Sequence, residues 1–233
     1  NGTRLVYVSP SHQFPLGVTM SLGRRLELLR WAEQHRAAIV EDDYDSEFRF
    51  GGRPIEPLYT LDTSGRVIYV GTFSKTLLPP VRLGFVVTPP SIRAAVHGAK
   101  YVADWHSGLP AQAALARFID DGEFARHIRR MATIYRARHE LVTGTLASDF
   151  ADRLEVVPSA VGLHITALTR RASVKQIQTV ARRAAARGIA LYTLDQFGFR
   201  RRLAGLVIGY GAISTTRITE GLRRLRECFS PSR

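Results

Sequence analysis

One cysteine, Cys228, is the only thiol in 233 residues. That excludes an internal disulfide framework and any multi-cysteine metal site. Long apolar runs are missing too. None approaches the roughly 18 to 20 residues that a membrane-spanning helix needs, so no membrane partner is expected. The opening Asn1-Gly2-Thr3-Arg4-Leu5 lacks the basic-then-apolar order of a secretory signal. These absences point to the reducing cytoplasm. Lysine is also scarce: Lys75, Lys100 and Lys175 are the only three among 33 basic residues, and the rest are arginines.

The remaining composition is that of a globular protein, 45% hydrophobic and 23% charged, long enough for one large domain or two modest ones. Acidic residues number 20, which leaves a formal charge of +13. An anionic partner such as nucleic acid would require those cations to be clustered. They are scattered instead, with short runs only at Arg129-Arg130, Arg170-Arg171, Arg182-Arg183 and Arg200-Arg201-Arg202. Solvated helix faces account for that pattern, so the chain itself is not expected to bind DNA. The informative cations are the three lysines, taken one at a time.

Short apolar runs alternate with longer amphipathic ones, the order of an α/β chain. Strands are expected at residues 4–8, 37–40, 66–70 and 83–87, the last closed by Pro89-Pro90. Ser21 is placed to cap a helix running to about Gln34. From Pro110 the pattern turns helical, with segments over 111–119 and 123–146. A second α/β run follows: strands at 154–157, 163–167, 189–192 and 206–208, a helix over 173–187, and a last helix capped by Ser214. It reads as a small domain joined to the first by the long helix.

In open α/β sheets, ligands gather at the carboxyl ends of strands. One such end carries Glu41-Asp42-Asp43-Tyr44-Asp45, and another carries Gly71-Thr72-Phe73-Ser74-Lys75 followed by Arg82. The acid run alone can bind Mg²⁺ or form a polar turn, but no histidine or second carboxylate pair completes a shell, and no metal is expected. Lys75 follows a buried strand and sits among hydroxyl residues. A lysine partly desolvated there has its amine available for Schiff-base chemistry. Thr72, Ser74 and Arg82 offer the hydroxyls and forked cation that hold a phosphate. An aspartate at the neighbouring strand end can pair with a protonated pyridine nitrogen, and a tyrosine beside it with a phenolic oxygen. A lysine, an aspartate and a phosphate clamp together meet the requirements of pyridoxal 5'-phosphate (PLP).

Three stretches carry a resemblance: Ser9-Pro10-Ser11-His12-Gln13-Phe14-Pro15, Glu41 to Phe50, and Gly71-Thr72-Phe73-Ser74-Lys75-Thr76-Leu77. They resemble the aminotransferase-like domain of MocR-type transcriptional regulators, members of the GntR superfamily related to fold-type I aminotransferases. The likeness continues through Gly108 to Gln112, Ala125-Arg126-His127-Ile128-Arg129-Arg130-Met131, Gly162-Leu163-His164 and Gly209 to Ser214. It implies a fold-type I α/β architecture. Residues 1–122 would be the C-terminal part of the large PLP-binding domain, 123–147 a connecting helix, and 148–233 a small C-terminal α/β domain.

By the same resemblance Lys75 is the lysine that holds PLP as a Schiff base. Asp42 keeps the pyridine nitrogen protonated, Tyr44 partners the ring oxygen, and Thr72 and Arg82 bind the phosphate. Asp43 and Asp45 are read as residues that fix the loop. Two departures stand out. Phe14-Pro15-Leu16-Gly17 replaces the Asn-Pro-x-Gly turn usual in aminotransferases. The late strand Leu206-Val207-Ile208-Gly209-Tyr210 has no arginine for a substrate carboxylate, and Arg200, Arg201 and Arg202 are the nearest substitutes. Without that clamp an amino-acid substrate is poorly oriented, so transamination is expected to be weak or absent.

The expected function is therefore the PLP-binding part of a regulator that senses a small amine or amino-acid effector. It would be incomplete at its N-terminus, bind DNA only through an upstream module, and be a homodimer when intact. The same residues also admit a free-standing class I/II aminotransferase, or a cofactor-free interaction module with a degenerate site.

Overall fold

The structure, a computed structural model, describes residues 2–52, 55–198 and 203–229. The chain divides into two compact units, Asn1–Gln13 with Thr19–Arg130, and Phe14–Val18 with Met131–Arg233. Among the described residues no helix is long and apolar enough to cross a membrane.

The first unit is built on a four-stranded sheet in the order β1 (Leu5–Val8), β2 (Ala38–Asp43), β3 (Val67–Thr72), β4 (Gly84–Val87). The first three strands run parallel and β4 pairs antiparallel to β3. Parallel neighbours need a crossover, supplied between β1 and β2 by α1 (Leu22–Gln34). Ser21 caps that helix as expected, its hydroxyl accepting from Arg24 N at 3.4 Å. Leu29 and Ala32 on its inner face meet Ile39 of β2, Val67 of β3 and Leu58 of the short helix α2 (Leu58–Leu61). Each large apolar side chain so buried contributes about 1.5–3 kcal/mol.

In the first unit β2 and the Pro89-Pro90 segment differ from expectation. Strand β2 does not stop at Val40 but continues through Glu41, Asp42 and Asp43. The alternation of the pleat decides their fate: Ile39, Glu41 and Asp43 are buried, while Ala38, Val40 and Asp42 are half-buried on the other face. Pro89-Pro90 also does more than close β4. Pro90 begins a helix, α3 (Pro90–Asp104), because its fixed φ and missing N–H suit the first helical position. Helix α4 (Leu109–Asp120) follows, and neither α3 nor α4 buries a residue. The long helix α5 (Glu123–Asp149) starts in the first unit and ends in the second.

The second unit holds an antiparallel sheet in the order β5 (Leu154–Val156), β6 (His164–Thr169), β8 (Gly205–Gly209), β7 (Tyr192–Thr193). Of the strand expected at 189–192 only Tyr192 forms, as the first residue of the two-residue β7, Tyr192–Thr193. Helices α6 (Val174–Ala186) and α7 (Thr215–Cys228) bury Ile177, Val180, Leu222 and Leu225. A capping box of Ser173 and Gln176 opens α6, and Ser214 caps α7. The segment Phe14–Val18 belongs here because the Pro15 carbonyl accepts from His164 Nε2 at 3.0 Å and from the Thr166 hydroxyl.

Candidate functional site

The register of the first sheet sets the site. Asp42 lies opposite Val70 and Asp43 opposite Gly71, so the acid run of β2 leaves the sheet beside the turn that carries Lys75. Gly71 lets the Phe85 ring of β4 lie over it, since a Cβ there would come within 2.4 Å of that ring and displace it.

The buried face of β2 is used for construction. Glu41 accepts from the amides of Leu58 and Tyr59 at 2.9 Å each, and its carboxylate lies 3.7 Å from the guanidinium of Arg25. Asp43 accepts from Ser46 Oγ at 2.7 Å and from the Tyr69 hydroxyl at 2.8 Å. Asp45 is buried against His12, whose Nδ1 lies 2.9 Å from the carboxylate. Burial raises the Asp45 pKa, while His12 and the charge of Lys75 pull it back. Lys75 is therefore within electrostatic reach of the acid loop.

Asp42 stands on the other face and accepts a hydrogen bond from the Tyr7 hydroxyl of β1. That bond, then burial and the carboxylate charge, push the phenol up to about 12. A carboxylate offers roughly four lone-pair sites, so Asp42 retains room for a second N–H donor. The Tyr44 hydroxyl donates to the His12 carbonyl at 2.7 Å. Burial, followed by the charges of Asp45, Asp42 and Asp43, raises its pKa well above the ordinary phenol value.

Lys75 lies in the turn after β3 and is exposed, not desolvated as its position after a buried strand implied. The Thr72 hydroxyl accepts from Ser74 N at 3.1 Å, and Leu77 N closes on the Phe73 carbonyl at 2.8 Å. Arg82 ends the 3₁₀ turn Pro79–Val81 in the left-handed region, with φ at 53°. Thr72 and Arg82 line one open cavity of about 580 Å³, together with Ser74, Arg93, His97 and Lys100. Lys75, Asp42 and Tyr44 do not line it. Arg200, Arg201 and Arg202 lie outside the described residues.

The chemistry of the donors suits PLP: a solvent-open primary amine and a half-buried carboxylate with an unspent lone pair, with a hydroxyl and a guanidinium lining a cavity that the amine and carboxylate do not line. Reading the chain by local pattern misses three partners, Tyr7 on Asp42, His12 on Asp45, and His127, whose Nε2 meets the Thr76 carbonyl at 2.9 Å. Strand pairing was the signal for Tyr7, which lies opposite Val40, two residues from Asp42 on the same face.

Comparison with known proteins shows the family and the fold. The profile of class I and II aminotransferases matches residues 4–203. The chain is 38% identical over 228 residues to the uncharacterized HTH-type transcriptional regulator YhdI of Bacillus subtilis, covering 97% of this chain and 48% of that protein. It is 40% identical over 227 residues to the probable rhizopine catabolism regulatory protein MocR of Rhizobium meliloti, covering 97% and 46%. It thus spans about half the length of the curated relatives it matches. Among solved structures, the kynurenine aminotransferase of Pyrococcus horikoshii, in complex with PMP, superposes with a TM-score of 0.88. That match has 30% identity and covers 97% of this chain and 56% of that one. With the parallel β1–β3 topology, the lysine turn and the profile match in agreement, the chain belongs to the class I and II aminotransferase family and has its fold-type I α/β architecture.

Proposed function

We propose that this chain is the PLP-binding, effector-sensing part of a MocR/GntR-type transcriptional regulator. The observation that carries the reading is the pairing of Asp42 with Val70, which sets an acid run and a lysine turn at adjacent strand ends. The 38–40% identity to HTH-type and MocR regulators supports it. In this reading residues 1–122 complete the large domain of a longer protein, 123–147 connect, and 148–233 form the small domain. Uncovered apolar surface on the first unit supports its being part of a larger domain. Leu5, Tyr7, Phe85 and Val86 are exposed on the outer strands β1 and β4, and α3 and α4 bury nothing.

Bound PLP supplies an electron sink for bonds at the carbon bearing an amine. Lys75 would hold it through its amine, and Asp42, oriented by Tyr7, would keep a proton on the ring nitrogen. Tyr44 would meet the ring oxygen once its hydroxyl turned from the His12 carbonyl, and Thr72 and Arg82 would take the phosphate. Strand β8, Gly-Leu-Val-Ile-Gly, has no arginine to hold a substrate carboxylate. A small amine or amino acid is therefore bound and sensed with little turnover, and DNA is contacted by an upstream module of the cytoplasmic, homodimeric protein.

The test is borohydride trapping followed by peptide mass spectrometry: a pyridoxyl label on Lys75, lost in Lys75→Ala, is expected. A chain incubated with PLP that carries no label on Lys75 overturns the reading. The likeness to the P. horikoshii aminotransferase keeps one alternative, a free-standing aminotransferase. Turnover of amino donors at rates within the usual enzymatic range of about 1–10³ s⁻¹ would favour it.

A further inference from the structure

We infer that His127, at the start of α5, is the positioning residue for Lys75. This rests on the reading of Lys75 as the cofactor's lysine and goes beyond it by naming what aims that lysine.

Among the described residues, the other hydrogen bonds of the Lys75 turn lie within its own neighbourhood. Ser74 N is held by the Thr72 hydroxyl, Leu77 N by the Phe73 carbonyl at 2.8 Å, and Phe73 N by the Leu83 carbonyl at 3.1 Å. Thr76, 2% exposed, turns its hydroxyl back to the Phe73 carbonyl at 3.3 Å. These bonds shape the turn but tie it to nothing beyond residues 72–83. The carbonyl of Thr76, directly after Lys75, is reached by a side chain 51 positions away: His127 Nε2 at 2.9 Å. A carbonyl only accepts, so the contact assigns the proton to Nε2.

An aromatic chain backs this bond. Phe73 of the turn meets Phe124 edge-on at 5.8 Å between centroids. Phe124 meets Phe118 of α4 at 6.3 Å, and Phe118 lies against the His127 ring at 6.3 Å. The imidazole is thus supported on its own side and applied to the turn at a single buried carbonyl. The lysine stem is flexible, so the backbone it leaves sets the region its amine can sample, and a shift of that anchor moves the whole region. Displacements of about 1 Å at such an anchor are enough to change reaction rates by up to about 10²-fold.

Substitution separates the donor from the ring. His127→Phe keeps an aromatic plug without the N–H, whereas His127→Gln keeps an N–H donor. With Lys75, Lys100 and Lys175 as the only lysines, borohydride-trapped pyridoxyl label on Lys75 can be scored against Lys175, which lies outside both the turn and the cavity. We expect H127F to lower the Lys75 share about tenfold. It should also speed amide hydrogen exchange over residues 73–77 while leaving β1 unchanged. H127Q should keep both readouts near the parent. If H127F unfolds the unit, H127N, whose amide is too short to reach the carbonyl, replaces it. The inference is overturned if H127F matches the parent in both readouts, if H127Q is as impaired as H127F, or if exchange rises equally in β1. If the parent labels Lys75 no better than Lys175, the cofactor reading fails, while the exchange comparison still decides the role of His127.

Discussion

Replacing Arg25 with Met tests whether the buried face of β2 is held as described. Arg25 is 0% exposed. It donates from Nε to the Met20 carbonyl at 3.0 Å and from its two terminal nitrogens to the carbonyls of Glu56 at 3.1 Å and Pro10 at 2.9 Å. Glu41 lies 3.7 Å away. Burial holds the Arg25 pKa below its usual value against the pull of Glu41. Burial likewise raises the Glu41 pKa, opposed by the amides of Tyr59 and Leu58 and by Arg25. Met fills a similar volume but strands the Met20 and Glu56 carbonyls, whereas Pro10 keeps the Met20 amide at 2.8 Å. Those two acceptors are only part-buried and water can reach them, so the larger cost is the buried ion pair, where removing one partner costs about 3–5 kcal/mol in all. A loss of about 4 kcal/mol, nearly a thousandfold in the unfolding equilibrium, is therefore expected at neutral pH. The assay is urea denaturation followed by circular dichroism, with the two units fitted as separate transitions. The penalty should shrink on acidification. Without Arg25 the folded Glu41 pKa rises further above the unfolded value of about 4.3, and such a group contributes stability at low pH that is lost as pH rises through its folded pKa. The double variant R25M/E41Q should recover about 1–3 kcal/mol. A penalty under about 1 kcal/mol, or one that grows with acid, refutes the reasoning.

Asp62 caps the entry to β3. Burial raises its pKa, but the amides of Val67, Ser64 and Arg66 outweigh that and leave it depressed. Asp62→Asn should cost about 1–2 kcal/mol in urea titrations at neutral pH; the difference should persist above the unfolded Asp value near 3.9 and vanish as pH falls through the folded pKa. Gly205→Ala places a Cβ 2.6 Å from the Ala167 carbonyl and 2.7 Å from Leu194 Cδ1. It should destabilise the second unit alone by about 1–3 kcal/mol, read as a shift in one of the two urea transitions. Tyr7→Phe should lower stability at about pH 9, and the parent's advantage should fade as pH rises through the Tyr7 value of about 12; an advantage unchanged across that range counts against the Asp42 bond.

How much of this could be read beforehand depends on how far apart the cooperating residues lie. Helices α1, α6 and α7 were legible because each announces itself locally, through a serine cap and apolar residues three and four apart. Helix α3 was not, because Pro89-Pro90 reads equally as a stop and as a helix start, and only the backbone that follows decides. The site divides the same way. Lys75 stood out through the rarity of lysine, and Thr72 and Arg82 through their spacing from it, all within a dozen residues. The partners that build the site lie much farther off, at 35 positions for Tyr7 and Asp42, 33 for His12 and Asp45, and 51 for His127 and Thr76. A parallel sheet makes this unavoidable, because each crossover inserts a helix or a long loop between strands that end side by side. Composition can therefore nominate the chemical groups of such a site, while the residues that aim them are set by strand register. A one-residue slip of β1 against β2 would turn Tyr7 to the opposite face from Asp42 and leave every local signal in the sequence intact.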